Sequence, residues 1–185
     1  IGSVPVGGGA PIAIQSMTNT RTSDAAATLA QIRALEAAGC DIVRVAVPDM
    51  AAALAIREIK AGMTIPLVAD IHFDHRLAIA AMENGVDKIR LNPGNIGGAD
   101  RVKAVVDVAR ARGVPIRIGV NAGSLEKDLL SKYGGVCPEA LVESAMGHVR
   151  LLEAADYREI LISVKSSNVP LAMATHRLLA DRTDY

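Results

Sequence analysis

KIRLNPGNIGG, residues Lys88 to Gly98, is the stretch whose reading decides the fold. Ile89 and Leu91 are aliphatic, whereas Lys88, Arg90 and Asn92 around them are charged or amide. Alternation with a period of two marks a β-strand whose two faces meet different surroundings. Pro93, Gly94, Asn95, Gly97 and Gly98 then break the strand into a turn, and an amphipathic run opens at Asp100. A strand with two cations on one face, in a chain that is 50% hydrophobic, needs a polar space for that face to line.

The pattern recurs. Candidate strands are PIAIQSM from Pro11, DIVRVAV from Asp41, PLVADI from Pro66, KIRLN from Lys88, PIRIGVN from Pro115 and EILISVK from Glu159. Helical spacing fills the intervals, as at Val102, Val105, Val106 and Ala109, and Gly39, Gly62, Gly85 and Gly113 punctuate the helix ends. Strand and helix alternating at this interval predict parallel βα units. In five of the six strands one face is aliphatic: Val43, Val45 and Val47; Leu67, Ala69 and Ile71; Ile89 and Leu91; Ile116, Ile118 and Val120; Ile160, Ile162 and Val164. The other face carries Arg44, Asp70, His72, Lys88, Arg90, Asn92, Arg117, Asn121 and Lys165. An open sheet between two helix layers wants both faces apolar, whereas a barrel turns one face to its helices and the other to a lumen. The expected fold is a (β/α)8 TIM-type barrel. Six units are visible where a full barrel takes about 250 residues. The 185 residues are therefore expected to be one incomplete domain that stops before the last two strands.

Composition narrows the function. Twenty basic and 20 acidic residues cancel, so the chain as a whole does not attract polyanions, and four aromatics are too few for a base-stacking platform. Nucleic acid is not an expected partner. No apolar run reaches the roughly 18 residues of a membrane span, and no signal-peptide pattern opens the chain. Cys40 and Cys137 stand far apart without C-x-x-C spacing, which predicts two reduced thiols in a cytoplasmic protein.

The lumen face has the chemistry. Arg44, Lys88, Arg90, Arg117 and Lys165 outnumber Asp70, with Glu159 a second carboxylate at the start of its strand. Surplus positive charge in a low-dielectric cavity implies an anion, and arginine forks match phosphate oxygens. The glycine-rich turn after Asn92 and the helix that follows add N–H groups and a positive dipole end. Phosphate or diphosphate is the expected ligand, against the bland reading that each cation is paired structurally. Lys88, early in its strand, is expected at the barrel floor with a stabilising role. DIHFDH offers Asp70, His72 and His75 as metal ligands, but the spacing fits no common zinc signature; a hydrogen-bonding role for Asp70 and His72 is expected. The Gly7–Gly9 run reads as a hairpin turn rather than a phosphate loop. Lys165 at a strand end could form a Schiff base, although pairing with phosphate suffices.

QSMTNT (Gln15–Thr20), DIVRVAVP (Asp41–Pro48), PLVADIHFD (Pro66–Asp74), IRLNPGNIG (Ile89–Gly97), IRIGVNAGSLEKDL (Ile116–Leu129) and SVKSS (Ser163–Ser167) closely resemble the 4-hydroxy-3-methylbut-2-enyl diphosphate synthase family. The match runs in order over nearly the whole chain. It implies an oxidoreductase of the bacterial and plastid methylerythritol phosphate route to isoprenoids. The implied reaction is reductive ring opening and dehydration of 2-C-methyl-D-erythritol 2,4-cyclodiphosphate to (E)-4-hydroxy-3-methylbut-2-enyl diphosphate. It also implies a later domain, absent here, that holds a 4Fe-4S cluster, a homodimer in which that domain caps the partner's barrel, and flavodoxin or ferredoxin as electron donor. By resemblance, Arg44, Arg90, Arg117 and Lys165 are diphosphate ligands, Asn121 a further substrate contact, and Asp70 the candidate catalytic group near the ring-derived hydroxyls. Asn19, His72, Asn92, Asn95, Ser124 and Ser166 match motifs on the same rim. Neither cysteine matches a cluster ligand, so 1–185 alone is expected to be inactive. A transferase barrel of the dihydropteroate synthase type and a phosphate-binding module without enzymatic activity are the competing readings.

Overall fold

A computed structural model describes all of residues 1–185. Its six strands make one sheet in which every neighbouring pair is parallel and spatial order equals chain order. They are β1 (Gln15–Met17), β2 (Ile42–Ala46), β3 (Leu67–Asp70), β4 (Lys88–Arg90), β5 (Ile116–Asn121) and β6 (Ile160–Lys165). Helices α1 (Ala25–Ala37), α2 (Met50–Ala61), α3 (His75–Glu83) and α4 (Ala99–Arg112) follow the first four strands; α5 (Lys127–Tyr133) and α6 (Pro138–Ala154) follow β5, and α7 (Val169–Ala180) follows β6. A doubly wound sheet would reverse its strand order at a switch point. Unbroken order with right-handed crossovers puts every helix on one side, which is barrel winding.

The side-chain alternation explains why that winding is stable. Val43, Val45, Leu67, Ala69, Ile71, Ile89, Leu91, Ile116 and Ile118 are fully enclosed between sheet and helices. They belong to one cluster of 41 buried residues, to which α4 adds Val102, Val105, Val106 and Ala109. At the C-terminal ends of the strands, carboxylate or amide caps start the next helix at once. Asp49 accepts from the Ala52 N–H, Asp74 from Arg76 and Asn168 from Leu171. The loops after β2, β3 and β6 are thereby short. Gly113 closes α4 with φ +65°, the left-handed conformation that favours glycine.

Two local expectations change. The first strand is shorter than its aliphatic pattern, because β1 has a neighbour on one side only and Ile12 and Ile14 lie 96% and 62% exposed beyond it. The Gly7–Gly9 run is a turn closed by the Ala10 N–H on the Gly7 carbonyl, but it joins no paired strands, so it is no hairpin. β4 likewise ends at Arg90, and Asn92 leads into a 3₁₀ turn at Pro93–Asn95.

Tyr157 staples the bottom of the barrel: its buried hydroxyl donates to the Val114 carbonyl at 2.5 Å. Burial pushes the phenol up to about 12 from its ordinary 10. A raised pKa means the fold favours the neutral phenol, so this contribution is present below pH 10 and fades as pH rises toward 12. Tyr157→Phe is expected to cost about 1–2 kcal/mol in urea unfolding at neutral pH and to flatten the loss of stability between those pH values.

Candidate functional site

Strand register sets the site. Asp70 on β3 pairs with Arg90 on β4, and Arg90 with Arg117 on β5, so one carboxylate and two guanidinium stems start at one level of the lumen. Arg44 starts one step lower on β2, in register with Val68, and reaches up. Asn121 and Lys165 pair at the top of β5 and β6. Asp70 is only 4% exposed, and both its oxygens are taken: Oδ2 accepts from Arg44, Oδ1 from Arg90 Nη1 at 3.2 Å. His72 Nε2 lies 3.7 Å from the same Oδ2, nearer the mouth. Arg90 is fixed again by donating from Nη2 to the Gly119 carbonyl at 3.0 Å.

Arg117 has no such partner. Its Nε is buried without a hydrogen bond, as is the Nε of Arg44. Burial, then repulsion from Arg44 and Arg90, pulls the Arg117 pKa down to about 10, with Asp70 acting the other way; it remains a cation at neutral pH. Arg44, His72, Arg90, Arg117, Asn121, Ser163 and Lys165 line a cleft of about 350 Å³. Four basic side chains thus line it, while Asp70, which does not, is already shared by two of them. An unpaired buried N–H loses several kcal/mol of hydration, so the arrangement is complementary to an anion that supplies several oxygens.

A second cleft of about 280 Å³ adjoins the first through His72, Arg90 and Asn121, and adds Asn92, Asn95, Ser124, Glu126, Ser144 and His148. Asn92, Asn95 and Ser124 therefore gather beside the cationic cleft. Asn19 and Ser166 follow the ends of β1 and β6 but line neither cleft: Asn19 exchanges two hydrogen bonds with Gln31 of α1, and Ser166 Oγ accepts from the Asn168 N–H ahead of α7. Lys88 is buried at the start of β4 and borders, with Arg117, a different cavity lined by Val6, Ile12 and Ile42 near the N-terminal end of the strands.

With this geometry in view, comparison with known proteins becomes specific. Residues 1–185 match the GcpE TIM-barrel domain from end to end. The chain belongs to the GcpE TIM-barrel family. A protein named 4-hydroxy-3-methylbut-2-en-1-yl diphosphate synthase (flavodoxin) from Caldanaerobacter subterraneus subsp. tengcongensis is 60% identical over 185 residues, covering all of this chain and 52% of that protein. One of the same name from Pseudomonas syringae pv. syringae is 65% identical over 180 residues, covering 97% of this chain and 49% of that protein. The chain spans about half the length of the curated relatives it matches. Among solved structures, Yersinia pestis dihydropteroate synthase aligns with a TM-score of 0.58 at 14% identity, over 92% of this chain and 64% of the other. A Thermotoga maritima phospho-2-dehydro-3-deoxyheptonate aldolase aligns at 0.59 and 9%, over 91% and 48%. At such identities only the barrel architecture is shared.

Two features of this GcpE barrel escape the sequence pattern. Gly119 stands where an added Cβ would lie 2.4 Å from Arg90 Nε, so only glycine lets that side chain cross β5. The Gly119 N–H meanwhile donates to Asn92 Oδ1 at 2.9 Å, so one residue sets both groups. Glu126, Ser144 and His148 are the second feature, drawn together from the β5–α5 loop and α6. Gly119 occupies a lumen-side position of its strand, which is the signal that could have exposed it.

The cysteines do not assemble a cofactor site. Cys40 is buried with Sγ against the Ile42 carbonyl at 3.1 Å, Cys137 precedes α6, and no three His, Cys, Asp or Glu side chains converge. Those residues do not fit a 4Fe-4S cluster. In DIHFDH, Asp74 caps α3 and pairs with Arg76 at 2.7 Å, while His75 opens the helix, so both face away from Asp70's partners.

Gly119→Ala is expected to leave the fold intact, displace Arg90 and weaken pyrophosphate binding roughly tenfold, as read by calorimetry and a crystal structure of the variant. Lys88 yields a pH prediction. Burial, then Arg117 and Arg44, push its pKa down to about 8 from 10.5. Between those values the unfolded chain binds this proton and the folded one does not, so stability rises with pH across the interval. Lys88→Met is expected to abolish that rise in denaturant titrations and to stabilise the protein at pH 7.

Proposed function

We propose that this chain is the N-terminal, substrate-binding barrel of a 4-hydroxy-3-methylbut-2-enyl diphosphate synthase. The longer protein would convert 2-C-methyl-D-erythritol 2,4-cyclodiphosphate to (E)-4-hydroxy-3-methylbut-2-enyl diphosphate in isoprenoid biosynthesis. The observation that carries this reading is the surplus cation set around Asp70, in which Arg117, whose buried Nε has no partner, lines one cleft with Arg44, Arg90 and Lys165. The names of the close relatives, flavodoxin-dependent synthases, support the reaction and the electron donor; ferredoxin is the alternative donor. Their greater length supports further βα units across the gap between β1 and β6, followed by a separate domain for a 4Fe-4S cluster. We place the protein in the bacterial cytoplasm as a homodimer; no helix is long and apolar enough to cross a membrane.

The chemistry assigned to this chain is electrostatic. Opening a cyclic diphosphate at carbon breaks a C–O bond and leaves the bond's electron pair on a phosphate oxygen. That oxygen gains negative charge as the bond stretches, and Arg44, Arg90, Arg117 and Lys165 are placed to stabilise it more in the transition state than in the ring. Asp70 orients Arg44 and Arg90, leaving their other N–H groups for the phosphates, with His72 and Asn121 at the rim for hydroxyls. The two electrons come from outside residues 1–185.

Arg117→Ala is expected to weaken binding of the cyclodiphosphate by about 1.5–3 kcal/mol, the range for a hydrogen bond to a charged group. Titration calorimetry on the folded variant measures it, and unchanged affinity would remove the diphosphate assignment.

A further inference from the structure

One imidazole joins three segments beside the cationic cleft. His148, near the middle of α6, is buried; the Gly94 N–H donates to its Nδ1 at 3.2 Å, and its Nε2 stands 3.3 Å from Glu126 Oε1. Ser144 Oγ donates to that same carboxylate oxygen at 3.0 Å. Because Nδ1 accepts, the proton of the neutral ring sits on Nε2 and points at Glu126. Gly94 admits the contact only as glycine, since a Cβ there would lie 2.8 Å from the ring carbon Cε1. Glu126, Arg90 and His72 are the charged or titratable groups sharing the cleft. Burial lowers the His148 pKa, against the pull of Glu126, which favours the neutral ring.

The two loops so joined are the ones that carry the amides. Asn92 and Asn95 flank Gly94 on the β4–α4 loop, and Asn121, which ends β5, and Ser124 precede Glu126 on the β5–α5 side. Neutral amide and hydroxyl groups suit ligand hydroxyls, as the neighbouring guanidinium groups suit phosphate.

We propose that His148 is a positioning residue, a tautomer-locked clamp that fixes the spacing of these two loops and so shapes the subsite for the hydroxylated, non-phosphate part of the ligand. The proposal rests on the diphosphate reading for the ligand's anchor, and the adjoining clefts let the two be tested apart.

The test uses the full-length protein, with pyrophosphate as the probe of the cationic cleft and the cyclodiphosphate as the probe of both clefts. His148→Asn keeps an acceptor near the Nδ1 position, and His148→Phe keeps only the shape. In His148→Phe, Gly94 amide exchange is expected to accelerate at least ~10-fold and cyclodiphosphate affinity to fall ~10-fold, with pyrophosphate affinity within ~2-fold; His148→Asn is expected to recover most of both losses. Nitrogen-15 NMR of the wild-type ring is expected to show Nδ1 unprotonated. The clamp is overturned by a proton on Nδ1, by unchanged Gly94 exchange and cyclodiphosphate affinity in His148→Phe, or by equal weakening of both ligands. Should His148→Phe fail to fold, the ring tautomer and the Gly94 exchange of His148→Asn decide. A wild-type protein that does not bind pyrophosphate would instead overturn the diphosphate reading, and Gly94 exchange would still judge the clamp.

Discussion

Asp70 is shared between Arg44 and Arg90, and this one buried carboxylate is the constraint on which the site depends. Taking an ion out of water costs several kcal/mol, so three guanidinium groups could not line one lumen without some compensation. A single carboxylate compensates two of them and fixes their direction across three adjacent strands. It leaves Arg117 uncompensated, and the anion affinity we propose for the site follows from that shortage. A second carboxylate at this level would stabilise the barrel and neutralise the cleft together.

The rest of the fold serves that arrangement. Parallel strands in chain order bring residues from five consecutive βα units to one end, which no single loop could do. Aspartate and asparagine caps begin α2, α3 and α7 a few residues after their strands, keeping that part of the rim short. Glycine at 119 lets Arg90 lie flat against the next strand, and glycine at 94 lets a helix-borne histidine touch the opposite loop. Under the proposed function, donors held in this way would need no rearrangement as charge develops on a phosphate oxygen, which would make the scaffold part of the chemistry.

Much of this was legible in the residues. The alternation in β2 to β6 identified the lumen face, and with it Arg44, Asp70, Arg90, Arg117 and Lys165, because a period of two leaves no freedom about which side chains share a side. Local pattern could not see neighbours across strands. It gave β1 the whole aliphatic run from Pro11, although β1 has a neighbouring strand on one side only and Ile12 and Ile14 lie exposed ahead of it. It passed over Gly119, whose meaning comes from an arginine 29 residues away, and His148, whose partner Gly94 is 54 residues away. Nor could it see that Asn19 and Ser166, which follow the ends of β1 and β6, are engaged by Gln31 and by the Asn168 N–H.

The most direct test of the account is a crystal structure of the full-length protein with the cyclodiphosphate bound. The account predicts phosphate oxygens within hydrogen-bonding distance of Arg117 and Lys165, roughly 2.7–3.0 Å, with Asp70 still bound to Arg44 and Arg90. Phosphate density outside this cleft, or Arg117 paired to a carboxylate with the ligand elsewhere, would contradict it.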